Sequence, residues 1–300
     1  MIGLQQKKYI KGYFDLIRPF TLLAPFIVSS CVIIASFFHN DISGNISVYL
    51  PSIIIASLSL AMLNAASNTL NQITDIDSDK ISKPYRPLVK KVVSLFEAKL
   101  VSIVLYTIAL FLSLFINLTF SLIIFIIAIF SITYSLPPRF KKMLFINQIW
   151  IAVPRGLFGI LASWSVFGNP LDALPLTIGF IAMFFLIGGS ITKDIIDCDA
   201  DKKTGTNTLI NTYGLKKAAL ISLPFMIFPF LYIPILINSG LLGSYLWSLT
   251  FLAIPAYLVF HLMVMNKKSM NFLENTSSWT LMYCTYFFFA FGFSILTVFC

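Results

Sequence analysis

The sequence contains few charged residues and few residues that bind transition metals. Lys, Arg, Asp and Glu make up 11% of its 300 residues, whereas hydrophobic residues make up 58% and the mean hydropathy is +0.89. The two histidines are isolated, and the four cysteines (Cys31, Cys198, Cys284 and Cys300) lack the spacing of a zinc site or a disulfide framework. A soluble domain could not bury this much apolar surface, so the composition indicates an integral membrane protein.

Apolar runs of about 20 residues, long enough to cross roughly 30 Å of hydrocarbon, recur along the chain. Continuous runs rich in Ile, Leu and Phe without strict alternation favour helices over a β-barrel. The predicted fold class is therefore all-α: a polytopic membrane protein and a bundle of nine transmembrane helices, forming a single domain over residues 1–300. The predicted spans are 19–38, 46–67, 98–116, 118–135, 147–167, 174–192, 218–238, 244–265 and 279–299.

Basic residues are missing from every second predicted connection. Of the 21 Lys and Arg residues, all but Arg155 lie in the N-terminal segment or in the connections after spans 2, 4, 6 and 8. The positive-inside rule then places the N-terminal segment, 1–17, in the cytoplasm and the C-terminus outside. We expect a cell membrane protein with its active site toward the cytoplasm. The net charge of +9 fits a basic rim against lipid headgroups, and nucleic acid is not an expected partner.

Acidic residues are concentrated, because eight of the 12 lie in two motif segments, 68–97 and 190–217. At about 100° per residue, one helix face of the first segment forms a polar stripe, whereas Asp77 points to the opposite face. In the second segment Asp194, Asp197 and Asp201 share a face from which Asp199 turns away. The stripe at the first segment consists of Asn64, Asn68, Asn71, Gln72, Asp75 and Asp79.

Carboxylates three and four residues apart on a helix repel each other, so these faces need a cation or a basic partner. Two such faces meeting across a bundle predict a site for Mg²⁺, an ion that often shares its coordination shell with substrate phosphates. Phosphate also needs fixed donors. Those on the same predicted side are Lys83, Arg86, Arg139, Lys142 and Lys193. The alternative interpretation is a pair of solvated helix ends with lysine counterions.

At these residues the sequence resembles the UbiA-type intramembrane prenyltransferases. The NQxxDxxxD motif matches Asn71, Gln72, Asp75 and Asp79, and the KDxxDxxxD motif matches Lys193, Asp194, Asp197 and Asp201. Further similar stretches are Arg18-Pro19, residues 83–88, residues 134–138, and Gly205 with Thr208-Leu209. The similarity runs from Arg18 to about Gly214, and the motifs follow in the family's order on one predicted side of the membrane.

The resemblance implies Mg²⁺-dependent transfer of an isoprenyl chain from an isoprenyl diphosphate donor to a small acceptor. Metal and basic residues would stabilise the charge on the departing diphosphate while the allylic C–O bond ionises. The implied metal ligands are Asp75, Asp79, Asp197 and Asp201, which together with Asp194 are the implied catalytic residues. The implied substrate-binding residues are Asn68, Asn71, Gln72, Lys83, Arg86, Tyr134, Lys142, Arg155 and Lys193.

Two departures from the family pattern bear on the acceptor. Many members have Asp where Gln72 stands, and Ala200 replaces the usual Gly of the second motif. The Gln form is similar to the branch that prenylates homogentisate and related phenolics. We therefore expect an aromatic acceptor, homogentisate-like or hydroxybenzoate-like. The alternative is an archaeal-type ether-lipid geranylgeranyl transferase that acts on a glycerol phosphate.

Arg155 is the one basic residue inside a predicted span. A charge inside the membrane indicates a functional residue, which here could bind a diphosphate or an acidic acceptor group. The alternative is an arginine that extends to the nearby membrane surface. A membrane transporter is the alternative function from another class, although its ionisable residues should lie near the midplane of the bilayer.

Overall fold

The computed structural model describes residues 2–265 and 275–300, and within these ranges every regular element is helical. The predicted all-α class is confirmed. Lys267 and Lys268, the basic residues of the predicted connection after span 8, lie outside the described residues. The α-helices are α1 (Ile2–Ile17), α2 (Pro19–His39), α3 (Leu50–Thr74), α4 (Ile76–Ser82), α5 (Leu95–Ser113), α6 (Leu118–Ser135), α7 (Ile146–Ala152), α8 (Gly159–Trp164), α9 (Ala173–Gly189), α10 (Asp194–Thr204), α11 (Leu209–Tyr213), α12 (Leu215–Leu231), α13 (Ile233–Asn238), α14 (Ala253–Met265) and α15 (Ser277–Val298).

Eight helices within the described part of the chain are long and apolar enough to cross a membrane. They coincide with eight of the predicted spans, so a polytopic helical bundle is confirmed. The predicted span 147–167 is a helical path in three pieces, in which the π-helical stretch Val153–Phe158 joins α7 to α8. The count of nine spans and the cytoplasmic N-terminus stay predictions.

The long helices form a closed ring. Helix α2 packs against α3 on one side and α15 on the other, and α9, α12, α14 and α15 pack in sequence order. Helices α6 and α7 complete the ring between α3 and α9. The first and last long helices therefore contact each other, and the ring encloses an internal space.

Aromatic packing holds part of this ring together. The ring of Phe230 on α12 lies 5.3 Å from that of Phe185 on α9 and 5.8 Å from that of Phe289 on α15, measured between centroids. All three side chains are almost fully buried. Other large apolar side chains, such as Phe111 and Phe125, are exposed on the outer surface, where lipid is their natural solvent.

Short helices continue two of the long ones at the same end of the ring. Helix α3 ends at Thr74, and α4 begins at Ile76 after a break at Asp75, whose φ and ψ of −110° and 15° are not helical. Helix α9 continues through the 3₁₀ turn Ser190–Lys193 into α10. Helices α4 and α10 pack against each other, which brings the two motif segments together.

Candidate active site

The structure places the two acidic motifs on one cavity of about 540 Å³ inside the helix ring. Eight basic and six acidic side chains line it, so the cavity carries an excess of positive charge that suits an anion. The predicted site residues among its lining are Asn68, Asn71, Asp75, Asp79, Lys83, Arg86, Tyr134, Lys142, Arg155, Lys193, Asp194, Asp197 and Asp201. Apolar side chains, including Val28, Leu60, Leu63 and Ile127, continue the same cavity into the bundle.

Asp75 lies at the break between α3 and α4 and is held by two cations. Lys141 Nζ lies 2.6 Å from Asp75 Oδ1 and also donates to Asn71 Oδ1 at 3.0 Å and to Thr74 Oγ1 at 2.7 Å. Arg139 NH2 lies 3.6 Å from the same carboxylate oxygen and donates to the Thr74 carbonyl at 2.9 Å. Burial lowers the pKa of Lys141, and the neighbouring Asp75 opposes this shift.

Arg139 has a left-handed backbone with φ of 58°, a conformation that a non-glycine residue rarely adopts. It begins the 3₁₀ turn Phe140–Lys142, which places Lys141 against Asp75. Lys142 points elsewhere and donates to the Thr204 carbonyl at 3.3 Å, at the end of α10. This turn therefore connects both motif segments to the chain between α6 and α7.

Two further ion pairs stabilise the short helices α4 and α10. Lys83 Nζ, just after α4, lies 2.5 and 2.6 Å from the two carboxylate oxygens of Asp197 on α10. Arg86 NH1 lies 2.5 Å from Asp79 Oδ2, and each side chain of that pair is 5% exposed. Burial raises the pKa of Asp79, while the charges of Arg86 and Lys83 oppose the rise.

Asp194 is buried at the start of α10. Lys193 Nζ lies 2.5 Å from Asp194 Oδ1, and the other carboxylate oxygen of Asp194 is buried without a hydrogen-bond partner. Buried polar atoms are nearly always paired in native proteins, so this oxygen is a candidate for binding a ligand at the cavity that Asp194 lines. Tyr134, at the end of α6, lies beside this pair.

The oxygen donors fit Mg²⁺. Carboxylates from both motifs line one cavity, Asn71 and the free oxygen of Asp194 lie on the same cavity, and oxygen ligands are those that Mg²⁺ prefers. Within the described ranges, no three His, Cys, Asp or Glu side chains converge into a ready-made cage. Four of the five candidate carboxylates instead pair with Lys or Arg. The ligand assignment of Asp75, Asp79, Asp197 and Asp201 stays a prediction.

Gln72 does not lie where the sequence places it. Its side chain is 1% exposed and its Nε2 donates to the Leu16 carbonyl at 2.6 Å, so it connects α3 to the end of α1 and does not line the cavity. The expected position of Gln72 beside the other polar residues of the stripe is therefore wrong, while its substrate-binding role stays a prediction. The polar stripe predicted from residue spacing spans about a third of the helix circumference, and it therefore includes Gln72, which faces α1.

Asp77 and Asp199 were expected to face away from the other carboxylates. Asp199 is exposed and does not line the cavity. Asp77 is also exposed and pairs with Lys80 at 2.8 Å, but it lies at the cavity rim because α4 begins anew after the break at Asp75. Lys141 contacts Asp75 and lines the cavity but is not among the site residues expected from the sequence. Its position beside Lys142 in a basic turn is the sequence signal that could have indicated it.

Arg155 lies in the cavity wall. Its guanidinium hydrogen-bonds to Asn64 Oδ1 at 3.3 Å and to Tyr283 OH at 3.4 Å. The side chain thus lies between α3 and α15, and the role of Arg155 stays a prediction. Together, the membrane-spanning ring, the charged cavity end and its apolar continuation define an intramembrane site for an amphiphilic phosphate.

Comparison with known proteins identifies the family. A model of the UbiA prenyltransferase family matches residues 22–273. The chain belongs to the UbiA prenyltransferase family, which confirms the enzyme class expected from the two motifs.

Its relatives include digeranylgeranylglyceryl phosphate synthases of archaea. The one from Methanococcus aeolicus is 31% identical over 238 residues, which cover 78% of this chain and 80% of the relative. The one from Methanocaldococcus jannaschii is 30% identical over 268 residues, 87% of either chain.

Solved structures share the fold. A UbiA homologue from Archaeoglobus fulgidus bound to GPP and Mg²⁺ superposes with a TM-score of 0.73 at 22% identity, covering 96% of this chain and all of that one. A homologue from Aeropyrum pernix K1 superposes with a TM-score of 0.69 at 20% identity. The match covers 89% of this chain and 96% of the homologue. Both likenesses show a shared fold, and the bound GPP and Mg²⁺ are ligands of the Archaeoglobus homologue.

Proposed function

We propose that this protein transfers a geranylgeranyl chain from its diphosphate to the free hydroxyl of a geranylgeranylglyceryl phosphate. The observation that carries the proposal is the cavity itself, with charged groups from both motifs at one end and an apolar continuation between the spans. The choice of acceptor rests on the relatives named digeranylgeranylglyceryl phosphate synthase, which match this chain over most of its length.

An aromatic acceptor, the first expectation from the sequence, has weaker support. It depended on Gln72, which the structure buries against Leu16, away from the cavity. The archaeal-type ether-lipid alternative agrees better with the relatives. A transporter is not supported, because the chain belongs to a prenyltransferase family.

In the proposed reaction the chain's own residues bind and orient the donor. Lys83, Arg86, Lys141 and Lys193 line the charged end, where their side chains can pass from carboxylates to diphosphate oxygens. Bound Mg²⁺ would neutralise charge on the leaving group. The apolar wall holds the isoprenyl chain and excludes water from the allylic carbon.

The bonds and protons balance as follows. The allylic C–O bond breaks and its electron pair leaves with the diphosphate, and the acceptor hydroxyl oxygen then forms a new ether bond to the allylic carbon. The hydroxyl proton passes to the departing diphosphate. We further propose that the charged end faces the cytoplasm, since the basic residues collect on that predicted side.

The test uses purified protein in detergent with Mg²⁺, a series of isoprenyl diphosphates of increasing length, and two acceptor sets. One set is phenolic, including homogentisate and hydroxybenzoate, and the other is glycerol phosphate ethers. We expect mass spectrometry to show a dialkylated glycerol phosphate, formed together with diphosphate and abolished by chelation of Mg²⁺. A prenylated phenol as the main product would refute the proposed acceptor, and undiminished turnover in excess chelator would refute the metal-dependent mechanism.

A further inference from the structure

The neighbours of Arg155 distinguish it from the cations at the charged end of the cavity. Lys83, Arg86, Lys141 and Lys193 each contact a carboxylate within 2.6 Å. The hydrogen-bond partners of Arg155 are neutral oxygens, and among residues 2–265 and 275–300 no carboxylate lies within 4.0 Å of its guanidinium. A guanidinium is always charged, so this part of the cavity holds a positive charge that the described chain does not neutralise.

Local structure fixes Arg155 in this position. It lies in the π-helical stretch Val153–Phe158, a type of irregularity that is frequent at functional sites. Its backbone carbonyl accepts a hydrogen bond from Tyr286 OH at 3.0 Å. The next residue, Gly156, packs so closely on α9 that a Cβ there would lie 2.5 Å from the backbone of Met183.

Neighbouring residues orient Asn64 and Tyr283, the two partners of Arg155. Asn64 Nδ2 donates to the Thr21 carbonyl at 3.0 Å, which directs Asn64 Oδ1 toward the guanidinium. The ring of Tyr283 lies 4.3 Å from that of Trp279, measured between centroids. Asn64 and Tyr283 thus hold Arg155 with two neutral groups, and Tyr283 OH can also donate to an anion.

Arg155 lies apart from the aspartates along the bundle. Asn64 precedes Thr74, the last residue of α3, by ten residues, which corresponds to about 15 Å at 1.5 Å per residue. Asn64 and Asp75 thus lie about three helical turns apart along the cavity wall. An anion bound at Arg155 would therefore be distinct from the donor diphosphate. The allylic carbon of the donor would lie between the two anions.

We propose that Arg155, with Asn64 and Tyr283, forms the subsite for the phosphate of a glycerol phosphate acceptor. This inference rests on the proposed function. With its phosphate at Arg155 and the donor diphosphate near the aspartates, the acceptor presents its glycerol hydroxyl to the allylic carbon between the two anions. The planar guanidinium matches the paired oxygens of a phosphate, which lysine does less well.

The test compares two acceptors, a glycerol phosphate ether and the same ether without its phosphate, at saturating donor. The wild-type protein should prefer the phosphorylated acceptor, and Arg155→Gln should lower that preference at least about tenfold, as expected for loss of a hydrogen bond to a charged group. Tyr283→Phe should lower it less, and Arg155→Lys should restore part of it. The exposed Lys80→Gln is the matched control and should leave the preference unchanged.

A second readout needs no turnover. Binding of the phosphorylated acceptor without donor, measured by thermal shift, should weaken in Arg155→Gln, whereas binding of the isoprenyl diphosphate should stay within about twofold of wild type. If Arg155→Gln fails to fold, Tyr283→Phe and Arg155→Lys carry the test. An unchanged acceptor preference, or a loss confined to donor binding, would overturn the subsite. Failure of the wild-type protein to prenylate any glycerol phosphate would instead reject the proposed function.

Discussion

Lys83 Nζ lies 2.5 and 2.6 Å from the two carboxylate oxygens of Asp197, a residue 114 positions further along the chain. The contact joins the end of α4 to α10 and is largely buried on the Lys83 side, which is 8% exposed. It shows that the charge of Asp197 in the second motif is neutralised by a residue of the first motif segment. Each motif is thus incomplete without the other.

Position, and not the number of charges, should govern the effect of replacing aspartates. Asp75→Asn, Asp79→Asn, Asp197→Asn and Asp201→Asn each remove a cavity carboxylate, and we expect losses on the order of several kcal/mol in transition-state stabilisation. Asp199→Asn removes the same charge from the exposed side of α10 and should cost little. The measurement is kcat/KM for prenyl transfer. Equal damage from Asp199→Asn would reject the ligand assignment.

Two adjacent lysines should differ in their effect on stability. Lys141→Gln leaves the carboxylate of Asp75 without its closest cation and should lower the free energy of unfolding by about 3 kcal/mol, as when a buried pair loses one partner. Lys142→Gln removes only a 3.3 Å hydrogen bond to a carbonyl and should cost less. Thermal unfolding of the ligand-free protein in detergent measures both variants. Similar losses in the two would contradict the ion-pair geometry.

The pH dependence should report on the pair of Asp79 and Arg86. Asp79 must be ionised to hold a cation, so the rate should fall as the pH drops through its pKa. The charge of Arg86 opposes the rise in the pKa of Asp79 that burial causes. Arg86→Gln should therefore raise this pKa further and shift the acidic limb of the kcat/KM profile to higher pH. Lys80→Gln, whose partner Asp77 is exposed, should leave the limb in place, and a shift toward lower pH in Arg86→Gln would be inconsistent with this role.

Two glycines three residues apart should respond differently to alanine. At Gly156 a Cβ would lie 2.5 Å from the Met183 backbone, whereas at Gly159 it would meet the Pro154 carbonyl at an ordinary 3.5 Å. Gly156→Ala must push the π-helical stretch away from α9, and overpacking of this kind costs about 1–3 kcal/mol. Gly159→Ala should be tolerated. Thermal unfolding compares them, and equal stability would argue against the close approach.

The topology can be measured by cysteine labelling. Lys90, Lys203 and Asn45 are all exposed, so a cysteine at each is reachable in a background with the four native cysteines replaced by serine. We expect Lys90→Cys and Lys203→Cys to react only from the cytoplasmic side and Asn45→Cys only from outside. A membrane-impermeant reagent on intact cells and on inverted vesicles makes the measurement. Labelling of all three from one side would refute the predicted orientation.

The sequence predicts the general architecture because membrane segments leave strong signals. Apolar runs of spanning length located the eight long helices, and motif spacing brought Asp75, Asp79, Asp197 and Asp201 to one cavity. The predicted span 147–167 differs because Pro154 and Gly156 lie in a π-helical stretch, which hydropathy cannot distinguish from a regular helix.

The finer details depend on contacts that spacing does not encode. A helical stripe indicates which residues share a side but not which neighbour each one meets, so Gln72 was placed in the site although it faces α1. The expectation of an aromatic acceptor depended on the Gln form of the motif, and the Gln72 side chain does not line the cavity. Lys141 and Lys142 are indistinguishable by composition, and only the turn after Arg139 decides which one reaches Asp75.

The packing of α4 against α10 also has a consequence for biosynthesis. The chain emerges from the ribosome N-terminus first, so the first motif leaves the translation machinery long before Asp197, 114 positions behind Lys83, has been made. Until then Lys83 has no carboxylate partner on α10. A nascent chain that ends before α10 therefore lacks the contact between Lys83 and Asp197 that joins the two motif segments.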